Sequence, residues 1–225
     1  MCDEDSLVVD ARDYLIGSAA FSFCASIYVL VMFYSVPHLQ RHPNSLFRNK
    51  AILDIIAVCM QTMSMGRGEN DCWCQETKFG EMVAFLTYAC HFASETYTLF
   101  IGVDLILNMQ SPFTNFQKNL TMYNIVALLV AALQGIALIA SESNGKSLTG
   151  FCYITFHAGQ QFHYFNISYM ILVAGGSAIQ VAAIVYVSRK VRARSEIQDI
   201  IFLSREKVIK TSFEYTMYYL VYVGI

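Results

Sequence analysis

Between Phe79 and Phe113 the chain reads FGEMVAFLTYACHFASETYTLFIGVDLILNMQSPF. This run is long enough to cross a bilayer, yet it carries His91, Glu95 and Asp104 in its interior. An ionisable side chain left in hydrocarbon costs several kcal/mol, so such groups turn toward a protein interior or the headgroups. Apolar residues occur on every helical face of the run. The expectation is a central helix of a bundle rather than a lipid-facing one. Cys72 and Cys74 stand just before it, and a Ser-Pro-Phe stop comes just after it.

The rest of the chain repeats the pattern. Of 225 residues, 56% are hydrophobic and 14% are charged, whereas a soluble domain carries roughly a quarter charged residues. The apolar residues come in runs of about twenty, the length that crosses a bilayer as a helix. The runs fall near 14–36, 47–66, 80–107, 122–140 and 162–187. A sixth, at 211–225, ends with the sequence. At ~1.5 Å per residue it is too short to span, so the expectation is a fragment lacking the end of that run and any later segment. The reading is an all-α membrane protein with a short acidic segment (1–13) ahead of a transmembrane domain (14–225). The start, MCDEDS, is acidic where a cleavable signal peptide is basic.

Basic residues set the orientation, because cytoplasmic loops are enriched in Lys and Arg. With the N-terminus outside, only Arg12, Arg67, Lys78 and Lys146 of the 15 Lys and Arg fall outside. Arg41, Arg48, Lys50, Lys118 and the basic residues of 189–210 fall inside. Cys72, Cys74 and Cys152 then lie on the oxidising side, where a disulfide persists. A bridge from one of the pair to Cys152 would close a loop of nearly eighty residues, a constraint of about 4 kcal/mol in the chain-entropy model. The partner, Cys72 or Cys74, is left open. Cys24, Cys59 and Cys90 read as small packing residues. The sequons at Asn119 and Asn166 fall in an inner loop and inside a span, where they are chance matches.

Among the charges, Asp54, Asp104 and Glu214 lie near inner span ends. They are candidates for a polar network with Arg48, Lys50 or Lys210. Glu95 is deeper, and His91 precedes it by four residues on the same helical face. These two are the candidates for an internal polar or ligand contact. Gly175-Gly176-Ser177 permits a kink or a close helix contact. The inner stretch SRKVRARSEIQDIIFLSREKVIK is basic and amphipathic, suited to anionic headgroups or to a cytoplasmic partner. No phosphate-binding glycine loop, HExxH, GxSxG or CxxC is present. The expectation is not an enzyme, with no cofactor, no metal and no nucleic-acid partner.

Four stretches carry a family resemblance. They are RHPNSLFRNKAILDI (41–55), ASETYTLFIGVDLIL (93–107), GFCYI (150–154) and the basic loop before the last run. Together they resemble G-protein-coupled receptors, in the branch of the slime-mould cyclic-AMP receptors and the secretin-like family. In the second stretch Ala93-Ser94, Tyr97-Thr98, Ile101-Gly102 and Asp104-Leu105 occupy the places of the family pattern. Tyr97 and Tyr153 stand where that pattern has tryptophan, and no Asp-Arg-Tyr triplet exists.

The resemblance implies a seven-helix receptor bundle, with five full spans and part of a sixth present. It implies an unknown extracellular ligand, a cytoplasmic heterotrimeric G protein and the plasma membrane of a eukaryote. It assigns Cys74 or Cys72 with Cys152 to the structural bridge. It assigns Asp104, Asp54, Arg189, Lys190, Arg192, Arg194 and Lys210 to the cytoplasmic switch and coupling surface. The alternative is a small transporter or channel using Glu95, His91 and Asp54.

Overall fold

The computed structural model describes residues 6–40, 44–65, 74, 77–110, 116–146, 151–154 and 160–194. Five α-helices account for most of them: α1 (Ser6–Ser35), α2 (Asn44–Met65), α3 (Lys78–Gln110), α4 (Phe116–Ala140) and α5 (Gln160–Arg194). A 3-10 turn, Pro37–Gln40, succeeds α1. Strands β1 (Asn144–Lys146) and β2 (Cys152–Ile154) lie between α4 and α5 and pair antiparallel, with Gly145 opposite Tyr153.

The expected seven-helix bundle with five complete spans is not what the described residues form. Three of the five helices are long and apolar enough to cross a membrane: Ile16–Ser35 in α1, Gln117–Ala140 in α4 and Tyr164–Lys190 in α5. The chain is a membrane protein on that ground. The stretches read as the second and third spans became α2 and α3, which do not meet the same measure. α2 carries Arg48, Lys50 and Asp54 within two turns. α3 interrupts its apolar residues with His91, Ser94, Glu95, Thr96, Thr98 and Asp104. Composition alone put them with the others, but they bury polar groups against protein instead of presenting apolar side chains all round. The run at 211–225 lies outside the described residues.

α3 is central, as its mixed composition implies. It packs against α2, α4, α5 and both strands. Its N-terminal end meets the hairpin, where Val83 and Ala84 cluster with Cys74 and Cys152. Its middle joins Tyr88, Phe92 and Ala93 to Ala131 and Leu138 of α4, Ile154 of β2 and Phe165 of α5. Further along, Tyr97 and Ile101 pack with Leu46 of α2 and Tyr123 and Ala127 of α4. By contrast, Met122, Ile125, Leu129, Leu133 and Ile136 of α4 are exposed at three- and four-residue spacing. On a water-facing surface a stripe of this size would be an aggregation liability, whereas in lipid it is the expected face.

Local signals fix the helix ends. Thr77 caps α3, its Oγ1 accepting from Gly80 N at 2.9 Å. α4 ends in a Schellman motif: Ser143 N donates to Leu138 O and Glu142 N to Ile139 O. Glu142 takes the left-handed position of that motif, with φ 52°. The turn directs the chain into β1.

The Gly175-Gly176 pair settles as a close contact within a continuous α5. Gly176 is buried, and a Cβ there would lie 3.6 Å from Leu99 N, whereas Gly175 faces open space. The α3–α5 seam is also close at Gly102 of α3. A Cβ on it would come within 2.9 Å of Ile179 Cγ2 and 3.3 Å of Gln180 N.

Candidate functional site

The polar residues of α2 and α3 meet along one seam. Lys50, Asp54 and Gln61 lie on one side of it, and His91, Ser94 and Glu95 on the other. Lys50 is buried at 6% exposure, and Ser94 at 1%. Lys50 Nζ donates to Ser94 Oγ at 2.6 Å, and Ser94 Oγ donates to Asp54 Oδ1 at 2.5 Å. The same ammonium lies 3.4 Å from Asp54 Oδ2 and 3.9 Å from Glu95 Oε1. One buried cation therefore faces two carboxylates, one on its own helix and one on the neighbour. Such a group is tolerated only where the geometry keeps its charges paired.

Toward the hairpin, His91 Nε2 and Gln61 Nε2 are 2.7 Å apart, so the ring nitrogen is the acceptor there. The His91 ring meets the Tyr153 ring edge-on, with centroids 6.2 Å apart. Burial holds the Tyr153 phenol well above the usual tyrosine range, with Tyr169, Tyr88 and Glu95 adding to the shift. On the opposite side of the Lys50 cluster, Asn49 bridges Arg48 and Asn124. Its Oδ1 accepts from the Arg48 guanidinium at 2.8 Å, and its Nδ2 donates to Asn124 Oδ1 at 2.9 Å. Tyr97 OH donates to the same Asn124 oxygen at 2.8 Å. The Arg48 guanidinium also covers the Phe33 ring of α1 at 5.3 Å. Polar side chains thus run along the α2–α3 seam from the hairpin to the far end of α2.

Of the candidates named from sequence, Asp54, His91 and Glu95 come together here. Asp104 does not. It is fully buried nearly three turns further along α3, where its Oδ2 accepts from Asn108 at 2.8 Å. Arg189 is exposed, while Lys190 is half-buried with its ammonium 5.5 Å from the Tyr186 ring centroid. Arg192 and Arg194 lie on the last turn of α5, and their side chains are outside the described residues. Lys210, Glu214 and Cys72 are outside them as well. Cys74 is bonded to Cys152, with Cα atoms 5.4 Å apart. The bond ties the hairpin to the residue four positions ahead of α3, against Val83 and Ala84 of its first turns.

Sequence reasoning underrated Ser94, Gln61, Asn49 and Asn124. Neutral polar residues in an apolar run raise no alarm one at a time. The available signal was positional. Lys50 and Asp54 are one turn apart on α2, and Ser94 adjoins Glu95, so a helix pair places all four at one level.

Among the described residues no group of three or more His, Cys, Asp or Glu could hold a metal ion. The described seam ties the Ser94 hydroxyl to the Asp54 carboxylate and the Lys50 ammonium. What it can do is hold two helices in register and respond when their charges are redistributed. No family model matches the chain, and no curated protein matches it in sequence.

Proposed function

We propose that this membrane protein is a G-protein-coupled receptor of the plasma membrane, passing an extracellular ligand signal to a cytoplasmic heterotrimeric G protein. The observation that carries the reading is the Cys74–Cys152 bond. It couples the hairpin, on the outer side in this reading, to the residue four positions ahead of α3, the helix that packs on α2, α4 and α5. A ligand that displaces the hairpin therefore pulls on the bundle axis. In this reading the basic end of α5, from Arg189 to Arg194, supplies the coupling surface, and Asp104 of α3 belongs to the switch. A ligand acts by its differential affinity for two arrangements of such a bundle.

Nucleotide exchange on purified heterotrimers, driven by the full-length protein in nanodiscs, tests the reading. Charge reversal of Arg192 and Arg194 together is expected to cut exchange several-fold. Exchange that is absent for every G-protein class, or unaltered by the reversal, overturns the coupling role.

A second reading, a small transporter or channel, is favoured by the meeting of Asp54, Glu95 and His91 in one seam. Proton or solute flux in proteoliposomes, without nucleotide exchange, would establish it in place of the receptor.

A further inference from the structure

We propose that Lys50 is a two-position latch between α2 and α3, exchanging its charge between Asp54 on its own helix and Glu95 on the neighbour. The geometry supplies both positions at once. The ammonium is 3.4 Å from Asp54 and 3.9 Å from Glu95, and the two acids lie on different helices. With Lys50 turned to Glu95, the helices are held by an ion pair and by the Ser94–Asp54 hydrogen bond. With Lys50 turned wholly to Asp54, the ion pair becomes an i,i+4 contact within α2, and the Ser94–Asp54 hydrogen bond remains across the helices at this level.

The physical argument rests on what a buried cation requires. Stranding a buried charge costs several kcal/mol, which ordinarily forbids a helix pair from opening. Because Asp54 travels with Lys50 on α2, the cation keeps a carboxylate as the seam loosens. Packed helices have discrete arrangements rather than continuous ones, and a cation with a partner in each is the group that permits both. Ser94 stays in contact throughout, donating to Asp54 and accepting from Lys50. The latch is a property of the helix pair and holds whether or not the protein couples to a G protein.

Hydrogen exchange of the full chain in nanodiscs reads the seam directly, since local opening sets amide exchange. Of the two carboxylates, Asp54→Asn leaves Lys50 that of Glu95, and it is expected to slow exchange in the facing turns of α2 and α3 several-fold. Glu95→Gln leaves it the Asp54 carboxylate of the two and is expected to speed the same amides several-fold. A network that merely fills the interior would move both variants the same way, and that result, or no change in either, overturns the proposal. Lys50→Met strands two carboxylates and is expected to raise exchange about tenfold or more, or to prevent folding. Adding Asp54→Asn and Glu95→Gln to it is expected to restore folding and bring exchange within a few-fold of wild type. If the triple variant is as damaged as Lys50→Met, Lys50 is needed for shape alone and the latch is wrong.

Discussion

Ser94 of α3 and Asp54 of α2 share a hydrogen bond across the helix seam, with the serine hydroxyl donating at 2.5 Å while it accepts from Lys50. One small side chain thus orients both charged partners. Replacing Ser94 by Ala removes donor and acceptor together and leaves Asp54 and Lys50 each one hydrogen bond short. Hydrogen bonds to charged groups contribute about 1.5–3 kcal/mol. Ser94→Ala is expected to lower thermal stability in detergent by that amount. Ser94→Thr keeps the hydroxyl and is expected to lose less. Equal losses in the two variants, measured by thermal unfolding, would assign the effect to volume rather than to hydrogen bonding.

The Cys74–Cys152 bond spans 78 residues of sequence. Cross-links over loops of this length contribute about 4 kcal/mol in the chain-entropy model. Cys152→Ser is expected to reduce surface expression sharply, and Cys74→Ser to match it. Flow cytometry of tagged protein checks both. A Cys72→Ser variant reaching the surface normally would complete the pattern, since Cys74 holds the bridge. Wild-type trafficking of Cys152→Ser would show that the hairpin keeps its place without the bond.

Gly102 and Gly175 differ in what a methyl group would meet. At Gly102 it would press on Ile179 and on the backbone of Gln180, which cannot step aside, whereas at Gly175 it meets nothing within 4 Å. Overpacking of this kind costs about 1–3 kcal/mol. Gly102→Ala is therefore expected to destabilise by that amount and to loosen α3 from α5. Gly175→Ala is expected to be neutral or slightly stabilising, because alanine favours the helix by up to about 1 kcal/mol. Parallel melting curves decide it, and equal behaviour of the two variants would contradict the packing described.

Glu142 holds a left-handed conformation at the end of α4, with φ 52° and its side chain exposed. A residue with a Cβ gives up roughly 1–2 kcal/mol there, part of which glycine returns as backbone entropy. Glu142→Gly is expected to stabilise the protein by about 0.5–1 kcal/mol. A lowered melting temperature would mean that the glutamate side chain contributes something its exposed position does not reveal.

The sequence by itself determined a great deal of the local structure. Runs of apolar residues are visible in one dimension, and the helices lie where those runs are: α3 over the stretch that holds His91, Glu95 and Asp104, and α5 across the Gly-Gly pair. It also marked the charges that had to find partners, because a buried charge is costly wherever the chain goes. Spacing along α3 placed His91 with Glu95 on a shared face.

Only the tertiary structure decided which helix meets which. Apolar content alone makes the stretches that became α2 and α3 look like those that became α1, α4 and α5. The expectation of five full spans came from that likeness. Once packed, α1, α4 and α5 present apolar side chains outward, while α2 and α3 turn charges toward each other. The choice of Cys74 over Cys72, and the sharing of Lys50 between two carboxylates, depend on separations of a few ångströms between residues forty or more positions apart. Such distances are set by how side chains interlock between helices, and periodicity along a single helix carries no record of them.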